Sequence, residues 1–124
     1  MLDRLRDRAA KLFKQTHNCT LATTGPAKVQ ASIVPCTVKD AVLYLCLPDT
    51  SDHLLNLEHE PEVALATQAW SLRGTTEILS RADDIFDESQ ARWHVAIKVI
   101  PLQMHILPGP HAQHAETIDF VENQ

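Results

Sequence analysis

Residues 20–47 read TLATTGPAKVQASIVPCTVKDAVLYLCL, and this stretch decides the fold class. Its apolar residues recur with a period of two, the period of a β-strand. Residues 19–24 form a short, Thr-rich strand, and Gly25-Pro26 marks a turn. Residues 28–38 form a longer strand, with Val29, Ala31 and Ile33 on one side and Lys28, Gln30 and Ser32 on the other. Pro35 has no N–H to give to a ladder, so an edge or a bulge is expected there. Residues 39–41 (KDA) make a hairpin turn, and residues 42–47 return as a strand that is apolar on both faces and therefore buried.

Upstream, residues 2–15 read as an amphipathic helix. Leu2, Leu5, Ala9, Leu12 and Phe13 fall on one stripe, and Arg4, Arg8, Lys11 and Lys14 lie off it. Downstream, Thr50 or Ser51 caps a short helix with Leu54 and Leu57 facing in, and Pro61 ends it. Residues 62–67 and 71–79 are two further strands, and residues 80–91 a polar connection. Residues 93–107 are a long strand in which Trp93, Val95, Ile97 and Val99 alternate with His94, Ala96, Lys98 and Ile100. Pro101 marks an edge or bend, and the odd separation of His94 and His105 places them on opposite faces. The P-G-P run at 108–110 stops regular structure. The tail beyond it is read as a frayed end, or as an arm laid on a partner through Ile118, Phe120 and Val121.

The expected fold is thus mainly β, with six antiparallel strands closing into a small split barrel, a leading helix and one short inter-strand helix. Residues 1–107 form the barrel domain and residues 108–124 a tail. At 124 residues the chain holds one domain and leaves much of its surface in water, which a homodimer would relieve.

Charge and composition narrow the function. A formal charge of −5 argues against nucleic acid as a partner. No apolar run approaches the roughly 20 residues of a membrane helix. The charged first segment does not look like a secretory signal, so a cytoplasmic location and no membrane partner are expected. Cys19, Cys36 and Cys46 have no close C-x-x-C spacing and read as small buried hydrophobes. With three glycines in the chain, a glycine-rich phosphate cradle is excluded. No nucleophile or metalloprotease motif is present, and no residue is assigned a catalytic role. His111 and His114 form H-x-x-H beyond the P-G-P break, which is not taken as a metal site. Thr50, Ser51 and His53 offer hydroxyls and a possible cation at a helix start, where phosphate is attracted. Asp52 opposes an anion there. Trp70 and Trp93 are candidates for stacking on a planar ligand, against core filling. Arg73 is a candidate anion contact, against a surface ion pair.

The order of segments resembles the pyridoxamine 5′-phosphate oxidase-like family, the flavin mononucleotide (FMN)-binding split barrels. The resemblance rests on the LAT strand with its G-P turn, on S-x-x-x-x-N-L from Ser51 to Leu57 ending in EPEVAL, on LRGTTEI, and on VAIKVIPLQMHIL. It spans residues 1–107. It implies a homodimer with FMN in clefts at the interface. The phosphate would lie at Ser51–His53, with Thr50 and Asn56 nearby. The ring would lie against Gln30, Ala31, Ser32 and Ile33, and Trp70 and Arg73 would flank the cleft. Flavin-binding members commonly carry Arg and Lys after the serine, where this chain has Asp52 and His53. A true pyridoxamine 5′-phosphate oxidase is not expected, since the resemblance does not extend to that enzyme's C-terminal substrate segment. The expectation is a small FMN flavoprotein, an oxidoreductase or electron carrier. The alternative is a split-barrel dimer that has lost FMN and serves as a haem-binding, other ligand-binding or structural module.

Overall fold

The computed structural model describes residues 2–79, 85–86, 93–109 and 114–120, apart from the side chains of Leu2, Asp3 and Leu5. The elements run α1 (Leu2–Lys14), β1 (Asn18–Thr23), β2 (Gln30–Lys39), β3 (Val42–Pro48), α2 (Asp52–His59), β4 (Glu62–Ala66), β5 (Trp70–Ile78), β6 (His94–Ile106) and β7 (Glu116–Asp119). The sheet order is β3-β2-β1-β4-β5-β6-β7, all antiparallel, and β3 also pairs with β6. That last pairing closes the six-stranded barrel. No helix among the described residues is long and apolar enough to cross a membrane.

The closure is incomplete at β2. β1 pairs with β2 from Gln30 to Pro35, but β3 pairs with it only from Cys36 to Lys39. The first half of β2 therefore has one ladder neighbour, and Pro35 sits where the second ladder begins. This is the edge its missing N–H requires. The hairpin between Lys39 and Val42 is a two-residue turn with positive φ at Asp40 (53°) and Ala41 (64°), which matches strand twist.

Inside, Leu21, Leu45, Leu47, Leu65, Ile97, Met104 and Ile106 fill the barrel. α1 adds Ala9, Leu12 and Phe13, and Phe13 meets Trp70 edge-on at 5.3 Å. β3 is buried on both faces as its composition demanded, because Phe86 covers Cys46 and Ala96 on the outside.

Two sequence expectations need correction. Between Pro101 and Gln103 the β5–β6 register shifts, with Gly74 opposite Pro101 and Arg73 opposite Gln103. One extra residue reverses the alternation. Inward positions are Val95, Ile97 and Val99 before the bulge, and Met104 and Ile106 after it. His94 and His105 therefore share the outward side, not opposite ones. The tail residues 116–119 are also not frayed. They form β7 on the edge of β6 left free beyond β3, with Ile118 fully buried. Arg8 makes an ion pair with Glu116 at 2.6 Å and ties α1 to this strand. Val121 lies outside the described residues.

Gly74 is required by close approach rather than by φ. A Cβ there would stand 2.9 Å from the Ile100 carbonyl oxygen across the bulge. Gly74→Ala should therefore cost about 1–3 kcal/mol. It should lower the urea midpoint with an unchanged slope. A midpoint equal to wild type would show that the bulge yields freely.

Candidate functional site

α2 lies across the β1–β2 end of the barrel, and its sequence sets what it presents. Ser51 is the N-cap, with φ −67° and ψ 135°, and its Oγ accepts from the His53 N–H at 3.2 Å. Thr50 is exposed and does not cap. Asp52, Leu55 and Glu58 face out, while His53, Asn56 and Leu57 fall on the inward face, as positions three and four apart must.

Asn56 is fully buried, and its carbonyl oxygen and both amide protons each have a partner. Its Oδ1 accepts from Ala27 N–H at 2.8 Å. Its Nδ2 donates to Thr23 Oγ1 at 3.0 Å and to the Lys28 carbonyl at 2.8 Å. Gly25 lies so close that a Cβ there would stand 2.9 Å from Asn56 Oδ1. The helix thus holds the β1–β2 turn by one side chain. Lys28, with φ 69°, is shaped by the same contacts.

His53 is 5% exposed. Its Nδ1 is 2.8 Å from Thr23 Oγ1 and its Nε2 is 2.7 Å from Ser32 Oγ. Burial lowers its pKa below the ordinary 6.5, while the Asp52 carboxylate pulls weakly the other way. At neutral pH the ring carries no charge, so the expected cation at the helix start is absent. Thr23 was not singled out from sequence. The available signal was its place on one face with Cys19 and Leu21, where a buried hydroxyl needs a partner.

Beyond α2, the outer barrel surface has an unusual polarity. In the first half of β2 the inward side carries Gln30 and Ser32, and the outward side carries Ala31 and Ile33. Ile33 is 76% exposed and the preceding Val29 77%. The neighbours in register are small: Thr20 and Ala66 beside Ile33, Ala22 and Ala64 beside Ala31. Two shallow clefts lie on this face. One, of about 510 Å³, is lined by Ala22, Val29, Ala64 and Arg73 among others. The second, of about 370 Å³, is lined by Thr20, Ile33 and Ala66 among others.

No family model matches the sequence, and no curated protein matches it. Solved structures do. A Listeria innocua protein provisionally assigned as a pyridoxamine 5′-phosphate oxidase aligns with a TM-score of 0.65 at 15% identity, over 85% of this chain and 99% of that one. ChuZ of Campylobacter jejuni aligns at 0.73 and 15% identity, over 97% of this chain and 61% of its own. HutZ, the haem storage protein of Vibrio cholerae, aligns at 0.59 and 17% identity, over 79% and 92%. The chain has the split-barrel fold of the pyridoxamine 5′-phosphate oxidase-like proteins.

On this split barrel the expected site residues separate into three places. Gln30, Ser32, Ser51, His53 and Asn56 gather where α2 meets β2, and Gln30 Nε2 donates to the Ala27 carbonyl at 2.7 Å. Ala31, Ile33 and Arg73 lie on the outer face, where Arg73 pairs with Glu62 at 3.0 Å. Trp70 belongs to neither. It is 1% exposed at the α1 end of the barrel, packed on Phe13, with its Nε1 donating to Thr16 Oγ1 at 3.4 Å. It lines neither of the two outer-face clefts and instead borders a separate cleft of about 340 Å³ with Leu12, Thr16 and Ala69. Trp93 is 70% exposed. Cys19 and Cys36 lie together in the core, where the neighbouring Cys36 thiol and burial raise the Cys19 pKa, and Cys36 Sγ donates to the Thr16 carbonyl at 3.7 Å. His111 lies outside the described residues.

The buried neutral His53 has a pH consequence. Below 6.5 the unfolded chain takes up a proton that the folded chain refuses, so stability falls with pH in that window. His53→Gln removes the difference. Wild type should lose more thermal stability than His53→Gln on going from neutral pH to about pH 5.5. Parallel losses in the two proteins would place the pH sensitivity elsewhere.

Proposed function

We propose that this split barrel works as a homodimer that binds a flavin, with the ring at the free edge and outer face of β2, and that it serves as an electron carrier or oxidoreductase. The observation that carries the reading is the inverted polarity of residues 30–33. A strand that turns Ala31 and Ile33 outward and Gln30 and Ser32 inward suits a surface covered by a ring or a second subunit. The same half-strand has, among the described residues, a ladder partner on one edge alone, so its other edge offers donors and acceptors to a heterocycle's polar edge. Flavin supplies the redox chemistry when bound, and the protein's part is to hold and orient it.

The two ends of FMN fit unequally. The ring meets a small-residue apolar face. The phosphate meets hydroxyls at Thr50 and Ser51, an uncharged His53 and the Asp52 carboxylate. No charge-assisted bond is available from these residues, and such bonds are the strong ones. Recognition should therefore rest on the ring and its carbon chain.

FMN and riboflavin should bind with dissociation constants within about threefold of each other, because the phosphate gains no charge-assisted bond. Titration by flavin fluorescence quenching checks this, with sedimentation giving the subunit number. FMN binding a hundredfold tighter would place a cation at the phosphate that α2 does not supply. Haem is the competing ligand, favoured by the likeness to HutZ. A Soret shift on haem addition, with no flavin bound by either titration, would replace the flavin reading.

A further inference from the structure

We infer that Asn56, Thr23 and His53 form a one-way hydrogen-bond chain that fixes Ser32 as an outward donor, so that the ligand group seated at the α2 end of β2 is an oxygen acceptor. The second half of this statement rests on the flavin reading, where that group is a hydroxyl oxygen of the ribityl chain. The first half concerns the protein alone.

The direction follows from counting protons. Both Nδ2 protons of Asn56 are committed, one to Lys28 O and one to Thr23 Oγ1. Thr23 is buried, and its hydroxyl already accepts from Asn56. Among the described residues, the acceptor within reach of its own proton is His53 Nδ1, at 2.8 Å. Thr23 therefore donates to Nδ1, and the neutral ring carries its proton on Nε2. That N–H donates to Ser32 Oγ at 2.7 Å. Ser32 has its oxygen satisfied from behind and lies exposed, with its own proton left for the ligand. The opposite tautomer would point two donors at Thr23 Oγ1 and leave a buried hydroxyl proton unpaired.

This arrangement has the reverse polarity of a hydrolase triad. There the third group accepts from Nδ1–H, leaving Nε2 bare to take the serine proton. Here the third group donates, so His53 cannot serve as a base toward Ser32. Ser32 is a specificity residue, and His53 and Thr23 are positioning residues.

The test has two arms on the full chain. Long-range proton–nitrogen NMR of the unliganded protein at neutral pH should show a protonated Nε2 and a bare Nδ1 at His53. Thr23→Ser should keep that pattern, and Thr23→Val should shift His53 toward the Nδ1–H form. An Nδ1–H tautomer in wild type overturns the chain whatever binds. In the second arm, Ser32→Ala should weaken riboflavin about three- to tenfold, the range of one neutral hydrogen bond. Lumiflavin, which has the ring without the ribityl chain, should bind wild type and Ser32→Ala equally. Equal loss for both ligands would move the Ser32 contact to the ring and overturn the ribityl assignment. No change for either would overturn the role of Ser32. If wild type binds neither flavin, the function proposed above fails, and the tautomer result still decides the chain.

Discussion

The buried amide of Asn56 is the contact on which the site end of the barrel depends. A side chain with no access to water must satisfy its carbonyl and both amide protons internally. Asn56 does so with Ala27, Lys28 and Thr23, partners drawn from the end of β1 and the turn before β2. That set of bonds locates α2 over the strands, holds the turn, and orients the Thr23 hydroxyl. His53, one turn earlier, can then reach Thr23 and Ser32 together. Gly25 is the backbone counterpart, because any side chain there would collide with the amide.

The second constraint is the length mismatch between β2 and its neighbours. β2 runs from Gln30 to Lys39, but β3 covers only its last four residues before turning to β6. The barrel gains closure through β3 and β6, and leaves the first half of β2 with an open edge. The same device recurs on β6, whose edge passes from β3 to β7. There the chain supplies its own cover. At β2 none of the described residues does so, and the residues facing outward are apolar. An open edge and an apolar face in one place are a hazard unless something occupies them.

Much of the fold was legible because strand periodicity, turn residues and caps agree. All six barrel strands and both helices stand where the alternation and the breakers put them. The failures have particular causes. The parity of His94 and His105 depended on a bulge opposite Gly74, and a single inserted residue leaves no mark on apolar spacing. β7 was missed because four residues with one buried Ile118 are too short to show a period. The site was less legible. Ser51 and His53 were singled out for charge and hydroxyls near a helix start, but the direction of the His53 side chain is a tertiary fact. Alternation showed that Ala31 and Ile33 share a side. It could not show that the shared side faces out.

On the proposed flavin reading, the two halves of the site make different demands on a ligand. A phosphate cradle built from Arg and Lys recognises charge first and tolerates error in shape, because Coulombic attraction is long-ranged. A single hydroxyl fed by a buried neutral histidine has no such reach. It discriminates by the position and sense of a single hydrogen bond, and a group that cannot accept leaves a donor unpaired. On that reading, Asp52 and an inward His53, standing where flavin-binding members commonly carry Arg and Lys, change the basis of selection. The helix start carries the Asp52 carboxylate and no positive side chain, and the His53 imidazole is part of the scaffold. On the proposed reading, recognition then falls to the apolar face of β2, its open backbone edge, and the one hydroxyl whose direction the scaffold sets.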